Sequence, residues 1–213
     1  MRIKCFSLFL IVSVFGFGQT YRDAQLWFNL YLEKKLSKNC AIHLNQQDRW
    51  AYNITRFNLA YADLGLTFKL TKNIKILTDY VFAQKRRNFS NESMWPAFRT
   101  AHQFYVALAI KRDIRRWRFM YRNMFQVQYV NPYTSAKGYI PIVYDRNKVT
   151  VKYEWNKYFI PYIAGELYFP LNIPTINGAS RSRTFIGLFY NVSKRQQLEL
   201  YFMFQDRLQK VNW

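Results

Sequence analysis

The segment from Trp117 to Tyr129, WRFMYRNMFQVQY, constrains the fold more than any other part of the chain. Its alternate positions divide into two chemically different sets. One set is apolar and aromatic apart from Asn123, and the other carries arginine, glutamine and methionine. Residues two apart lie on the same face of a β-strand, so the segment predicts one long strand with an oily face and a polar face. Such a strand is typical of a barrel wall that has lipid outside and a polar interior.

The same alternation recurs in other segments between Gln25 and Gln205. These segments are rich in aromatic residues, which make up 20% of the chain and favour β-strands. Together they predict an all-β fold, an antiparallel up-and-down transmembrane β-barrel of about ten strands. With this order of loops, ten strands would leave both termini on the long-loop side, whereas outer-membrane barrels normally keep them periplasmic. A barrel of eleven or twelve strands is therefore the alternative.

Two predicted strands have boundaries or phases that matter for the fold. In the third predicted strand the phase slips near Tyr61, which predicts a β-bulge there. The seventh strand is predicted to run from Lys148 to Trp155, after a loop from Asn131 to Asp145 that contains glycine and proline.

The predicted connections alternate in length. Short turns are expected after the first, third, fifth, seventh and ninth strands, and longer links after the second, fourth, sixth and eighth. Turn-forming residues occur at Ser37-Lys38-Asn39 and Thr71-Lys72-Asn73. Outer-membrane barrels have this asymmetry, with short periplasmic turns and longer external loops. A secreted β-sandwich or a lipocalin-like barrel is the alternative with a similar number of strands.

The N-terminus has the pattern of a secretory signal peptide. Arg2 and Lys4 precede an apolar stretch, and Gly16-Phe17-Gly18 offers a cleavage site of small residues. We expect residues 1–18 to be removed and residues 19–213 to form a single β-barrel domain. No other apolar run in the sequence approaches the roughly 20 residues that a membrane helix requires. Cleavage leaves Cys40 as the single cysteine, so no intramolecular disulfide is expected.

The chain is strongly basic, which suggests an anionic partner. Its formal charge is +20, or +18 without Arg2 and Lys4. An exported chain rarely meets nucleic acid, so membrane lipid, including the phosphates of lipopolysaccharide, is the expected partner. The cluster Lys85, Arg86 and Arg87 at the root of a long loop is the candidate lipopolysaccharide contact; a solvated charged surface is the alternative.

The polar strand faces carry carboxylates together with cations. A buried carboxylate without a cation is costly, so these charges are expected to pair inside the barrel. A barrel of about ten strands is narrow enough for side chains to fill much of its interior, which favours a largely filled lumen over a selective pore. The predicted lumen network comprises Glu33, His43, Arg49, Lys75, Asp79, Arg118, Arg122, Lys152, Glu154, Glu166 and Glu199.

The sequence contains no catalytic signature. A lipid-modifying barrel enzyme would need a nucleophile beside a histidine base. His43 shares the polar face of its strand and is expected to be a hydrogen-bonded lumen residue, while His102 shares the parity of Phe104 and is expected at the membrane interface. No metal-binding motif, phosphate-binding loop or nucleotide motif is present, so no catalytic residue, metal or cofactor is predicted. A serine and a histidine from distant strands could still meet in space.

Three segments resemble a known family. They are YDRNKVTVKY (Tyr144–Tyr153), PYIAGELYF (Pro161–Phe169) and RTFIGLFYNVSKRQQLELYF (Arg183–Phe202). They are similar to hairpins of an exported bacterial β-barrel family, domain of unknown function 2490, and the similarity extends back through Phe98–Tyr105 to the first hairpin. The resemblance implies a barrel in the outer membrane and no established activity. Members usually end with a further aromatic-terminated strand that this sequence lacks.

The sequence therefore predicts a non-enzymatic outer-membrane barrel, structural or binding, with a charged and largely filled lumen. The alternatives are a narrow channel that favours anions, a lipid-modifying enzyme of the outer membrane, and a soluble secreted β-protein.

Overall fold

The chain forms a single antiparallel sheet. The structure, a computed structural model, describes residues 26–86, 98–130, 141–173, 176–193 and 197–209; the expected signal peptide lies outside them. No helix in these residues is long and apolar enough to cross a membrane. The ten strands lie in sequential order, which confirms the all-β, up-and-down arrangement and the predicted number. They are β1 (Leu26–Lys35), β2 (Cys40–Ala51), β3 (Arg56–Lys69), β4 (Ile74–Arg86), β5 (Phe98–Ile114), β6 (Trp117–Val130), β7 (Ile142–Tyr153), β8 (Phe159–Pro170), β9 (Arg181–Asn191) and β10 (Gln197–Arg207).

The sheet curves into an incomplete barrel. The Trp27 ring of β1 lies 6.3 Å from the Tyr201 ring of β10, centroid to centroid. The guanidinium of Arg183 in β9 is 5.9 Å from the same Trp27 ring. The first strand and the last two strands therefore approach each other. In the described residues, β1 pairs only with β2 and β10 only with β9, so no hydrogen-bonded ladder joins the two edges.

The two faces of the sheet differ as the alternation predicts. The convex face exposes large apolar side chains, such as Phe202 (78%) and Leu200 (72%) in β10. The concave face buries polar side chains, including His43, Asp63 and Glu166. All the described strands belong to one sheet, so no second sheet covers the convex face within this part of the chain.

Three of the short turns are stabilised by the side chain that begins them. The hydroxyl of Ser37 accepts hydrogen bonds from the backbone N–H groups two and three residues later. Thr71 does the same in the next short turn, and the side-chain oxygen of Asn156 does so between β7 and β8. These side chains satisfy backbone donors that a tight reversal leaves unpaired, which is why such residues favour turns.

The connections agree with the predicted alternation except at one place. The links after β4, β6 and β8 are long, whereas β2 and β3 are joined by only four residues, 52–55. The longer link predicted there was wrong. Tyr52, Asn53 and Ile54 have φ values of 54°, 53° and 69°, so three consecutive residues in the left-handed region reverse the chain tightly. The segment contains no glycine that would signal this conformation.

The predicted bulge exists, but it lies earlier in β3 than predicted. Arg49 pairs with Leu59 and Trp50 pairs with Phe57, which leaves Asn58 as the extra residue. The bulge turns Phe57 to the convex side, where its ring lies 5.4 Å from that of Trp50.

Strand β7 begins at Ile142, not at the predicted Lys148. Its first half pairs with β6, starting from Ile142 opposite Gln128. The predicted loop therefore ended too late. Polar Asp145 and Asn147 occupy convex-face positions here, which hides the alternation from a reading of hydrophobicity alone.

Candidate functional site

The concave face collects the residues predicted for the lumen. The strand register gives a common face to the members that lie within strands, and Glu154 follows the end of β7. The strand residues on this face are Glu33, His43, Arg49, Lys75, Asp79, Arg118, Arg122, Lys152, Glu166 and Glu199.

The most buried polar pair joins His43 of β2 to Asp79 of β4. His43 pairs in register with Gly65 of β3, and Gly65 pairs with Asp79, so the three residues form a row across three strands. His43 Nε2 and Asp79 Oδ1 are hydrogen-bonded over Gly65. A Cβ on Gly65 would overlap the Asp79 carboxylate and lie 2.6 Å from His43 Nε2. The absent side chain is therefore what lets residues from two non-adjacent strands meet.

Three neighbours complete this cluster. Asp63, two residues before Gly65, is 6% exposed, and its Oδ2 accepts a hydrogen bond of 2.9 Å from the Tyr105 hydroxyl. Thr67 Oγ1 lies 3.4 Å from His43 Nδ1. Single ligand-type atoms of His43, Asp63 and Asp79 all lie within 4.8 Å of one another. We call His43, Asp63 and Asp79 the histidine–aspartate cluster.

A second polar cluster surrounds Glu166 of β8. Its carboxylate accepts hydrogen bonds from Arg122 (3.1 Å) and Arg146 (2.8 Å), and Arg183 Nη1 lies 3.9 Å away. Tyr168 donates a hydrogen bond of 3.2 Å to Glu166 and accepts one from Arg183. The Glu166 side chain is 2% exposed, so its charge is compensated by arginines from three other strands rather than by water.

Other inward cations lie over aromatic rings. The Arg49 guanidinium is 3.5 Å from the Trp27 ring centroid, Lys152 Nζ is 3.8 Å from that of Phe189, and Lys148 Nζ is 4.2 Å from that of Phe185. Cation–π contacts of this kind stabilise a positive charge away from water. Arg49 and Lys152, which were predicted to pair with carboxylates, are thus stabilised by aromatic rings.

The remaining predicted residues lie nearer the ends of the strands or in the edge strands of the sheet. Arg118 bridges Asp113 (2.6 Å) and Glu154 (3.2 Å) beside the turn between β5 and β6. Glu199 accepts a 2.5 Å hydrogen bond from Tyr162, and Glu33 accepts one of 3.0 Å from Tyr31. Among the described residues, neither Lys75 nor Glu33 forms an ion pair within 4.0 Å.

The residues predicted to contact lipopolysaccharide do not form one cluster, because consecutive strand residues point to opposite faces of the sheet. Lys85 points to the concave face, while Arg86 donates to the Phe57 carbonyl (2.9 Å) and its guanidinium lies 5.2 Å from the Phe98 ring. Arg87 lies outside the described residues. Three other cations lie at the long-loop ends of their strands. Arg99 of β5 pairs in register with Lys85, and Arg181 of β9 pairs in register with Arg207 of β10. We call these four residues the basic mouth.

Several residues of these clusters were not predicted from the sequence, namely Asp63, Gly65, Thr67, Tyr105, Arg146 and Arg183. A glycine inside a strand can mark a close approach of other groups, and Gly65 lies between Asp63 and Thr67 in β3. That signal could have singled out β3. Arg146 was missed because it lies between the predicted end of the loop at Asp145 and the predicted start of the strand at Lys148.

A lipid-modifying enzyme would use one of the two histidines as a base, so their surroundings are relevant to that alternative. Thr67, His43 and Asp79 follow the order of nucleophile, base and orienting carboxylate. The 3.4 Å separation of Thr67 Oγ1 from His43 exceeds the 2.6–3.2 Å expected for an activated nucleophile, and Thr67 is 5% exposed. His102 Nδ1 is hydrogen-bonded to the Tyr80 hydroxyl at 2.7 Å on the convex face. These arrangements favour structural hydrogen bonds over a hydrolytic site.

Comparison with known proteins gives a family match that covers most of the chain. Residues 24–213 match the family described as "Protein of unknown function (DUF2490)". No curated protein and no solved structure matches the chain.

Proposed function

The chain belongs to the DUF2490 family of proteins of unknown function, and we propose that it is an outer-membrane β-barrel with a structural or binding role, no enzymatic activity and a largely filled lumen. The observation that carries this proposal is the division between an exposed apolar convex face and a buried polar concave face. Side chains such as Phe28, Phe104 and Phe202 are at least half exposed on the convex side.

Exposed apolar surface on this scale requires a partner. A soluble monomer rarely exposes a continuous apolar patch larger than a few hundred Å². Here outward apolar residues recur on successive strands, including Leu30, Leu64, Val106, Val149, Ile186 and Leu200. Hydrocarbon would cover such a surface all round, whereas a protein partner would cover one side of it. Lipid is therefore the better occupant.

Two polar clusters support the proposed filled lumen. Glu166 and its arginines span β6 to β9, and the histidine–aspartate cluster with Tyr105 spans β2 to β5. In a narrow barrel, side chains that are hydrogen-bonded in this way would fill much of the interior. A conducting pore would require these contacts to open.

The basic mouth supports an anionic partner. Lys85, Arg99, Arg181 and Arg207 all lie at the long-loop ends of their strands, which are the external ends in outer-membrane barrels. Phosphate groups of an anionic lipid would relieve the mutual repulsion of these cations. The proposed membrane partner is thus lipopolysaccharide, which would contact the mouth rather than a single cluster in one loop.

Cell fractionation tests the location. The full-length protein should sediment with outer membranes, resist carbonate extraction and require detergent for release. It should also migrate faster on a gel when it is not boiled, as folded barrels do. Recovery from the periplasm without detergent would contradict the proposal and favour the soluble secreted alternative.

Planar-bilayer recording separates the filled barrel from a channel. A filled lumen predicts no steady unitary conductance from the folded protein. The basic mouth is the one feature that favours the channel alternative, and it predicts anion selectivity for any conductance observed. Steady anion-selective openings that are reduced by Arg181→Glu would overturn the filled-lumen proposal.

A further inference from the structure

The geometry points to a divalent metal site formed by His43, Asp63 and Asp79 inside the barrel. One imidazole and two carboxylates, from β2, β3 and β4, place their ligand atoms within 4.8 Å of one another. Ligands around a small transition-metal ion at about 2.0–2.2 Å lie about 3–4 Å apart. Small side-chain rotations would therefore bring the three atoms to coordination distance.

Each carboxylate of the cluster has one buried oxygen that could coordinate a metal. Asp63 Oδ1 and Asp79 Oδ2 are buried and have no hydrogen-bond partner among the described residues. The side chain of Asp79 is 0% exposed and Asp63 is 6% exposed. A buried carboxylate oxygen without a donor carries a desolvation cost, and a metal ion that it coordinates would offset that cost.

The other atoms of these side chains have supporting partners. Tyr105 donates a hydrogen bond to Oδ2 of Asp63, which leaves Oδ1 of that carboxylate free. Thr67 Oγ1 lies 3.4 Å from Nδ1 of His43, so the other ring nitrogen, Nε2, is directed at Asp79. Metal sites commonly have such outer hydrogen bonds, because they fix the tautomer and orientation of the ligands. The arrangement therefore resembles a supported ligand set rather than a chance cluster of acids.

The charges also favour a cation. Two carboxylates lie near each other here, and within the described residues neither forms an ion pair with lysine or arginine. A divalent ion would compensate both. The imidazole favours Zn²⁺ or Fe²⁺ over Mn²⁺, Ca²⁺ and Mg²⁺, which prefer oxygen ligands.

Gly65 forms the floor of the site. Any side chain there would occupy the space between His43 Nε2 and Asp79. The glycine therefore keeps open the position at which a metal would replace the direct His43–Asp79 hydrogen bond. In that exchange the bridging proton leaves to solvent and the imidazole coordinates through Nε2.

Metal binding by the folded full-length protein in detergent micelles tests the inference. After treatment with EDTA, the protein is dialysed against Zn²⁺, Mn²⁺ or Mg²⁺, and bound metal is measured by elemental analysis. We expect about one equivalent of Zn²⁺, weaker Mn²⁺ and no Mg²⁺. Asp63→Asn and Asp79→Asn should each lose the bound Zn²⁺. Asp113→Asn, the same chemical change beside an exposed turn, should retain it.

Two further measurements keep the inference falsifiable if a variant does not fold. The Co²⁺ form of the wild-type protein should give visible absorption bands of a site with nitrogen and oxygen ligands. Tyr105→Phe should lower Zn²⁺ affinity about tenfold to a hundredfold, because it removes an outer hydrogen bond. Wild-type protein that binds no Zn²⁺ or Co²⁺ would overturn the inference. Equal binding in Asp79→Asn would also overturn it, because the metal would then be bound elsewhere.

Discussion

His43 and Asp79 form a hydrogen bond across a strand that separates them, because Gly65 of that strand has no side chain. Neighbouring strands lie about 4.8 Å apart, so residues two strands apart normally meet only beyond the side chain between them. In this barrel a single missing Cβ determines which two titratable groups are joined.

Gly65→Ala should destabilise the barrel. The added Cβ would overlap Asp79 and crowd His43, and overpacking of this kind costs about 1–3 kcal/mol. Denaturant unfolding in micelles, followed by tryptophan fluorescence, would measure the loss. The matched control is Gly165→Ala, because a Cβ there has no neighbour within 4 Å. Equal stability of the two variants would contradict the close packing described for Gly65.

Glu166→Gln should be the most destabilising of the glutamate substitutions. It removes the charge that compensates Arg122, Arg146 and Arg183 while leaving the arginines in place. Breaking a buried pair costs about 3–5 kcal/mol, and partial exposure of Arg122 reduces the expected loss to about 2–3 kcal/mol. The change in the free energy of unfolding would measure it.

The control for that change is Glu154→Gln. Glu154 pairs with Arg118, but its side chain is 45% exposed, so the expected loss is at most about 1 kcal/mol. An equal loss of stability in the two glutamine variants would show that the buried ion pairs of Glu166 contribute no more than the exposed pair of Glu154.

Phe202→Arg tests whether the convex face contacts lipid. Phe202 lies in the middle of β10 and is 78% exposed. In water this substitution would be neutral or would improve solubility, whereas a lipid-facing arginine near the bilayer centre costs about 2–4 kcal/mol. The folded fraction after insertion into lipid vesicles should therefore fall. Leu36→Arg, in an exposed turn, is the control and should leave the folded fraction unchanged.

Asn123→Leu should destabilise the barrel even though it makes the convex face more apolar. The amide of Asn123 donates to Asp145 Oδ1 (2.5 Å) and to Asn147 Oδ1 (3.1 Å). The leucine variant would leave the side-chain oxygens of Asp145 and Asn147 without this donor on the convex face, at a cost of about 1–3 kcal/mol. Val127→Leu, at a convex position on the same strand, should have little effect on unfolding. A more stable Asn123→Leu variant would show that the amide is dispensable.

For most strand residues the sequence was sufficient to predict which face of the sheet they occupy. Successive side chains of an extended strand point to opposite faces, so the face of a residue depends only on its own strand. This is why Glu33, His43 and Glu199 could be assigned to the concave side without knowledge of any partner strand. Alternation failed where convex positions are polar, at Asp145 and Asn147, so the start of β7 was placed too late.

Which inward residues meet was decided only by the tertiary structure. Register sets His43 beside Gly65 and Gly65 beside Asp79, and curvature brings Arg183 to the ring of Trp27. A one-residue slip between strands would leave each sequence pattern intact while changing every cross-strand pair. The amino-acid order therefore determined a two-faced sheet of ten strands. The pairing of those strands in three dimensions determined where its buried charges converge.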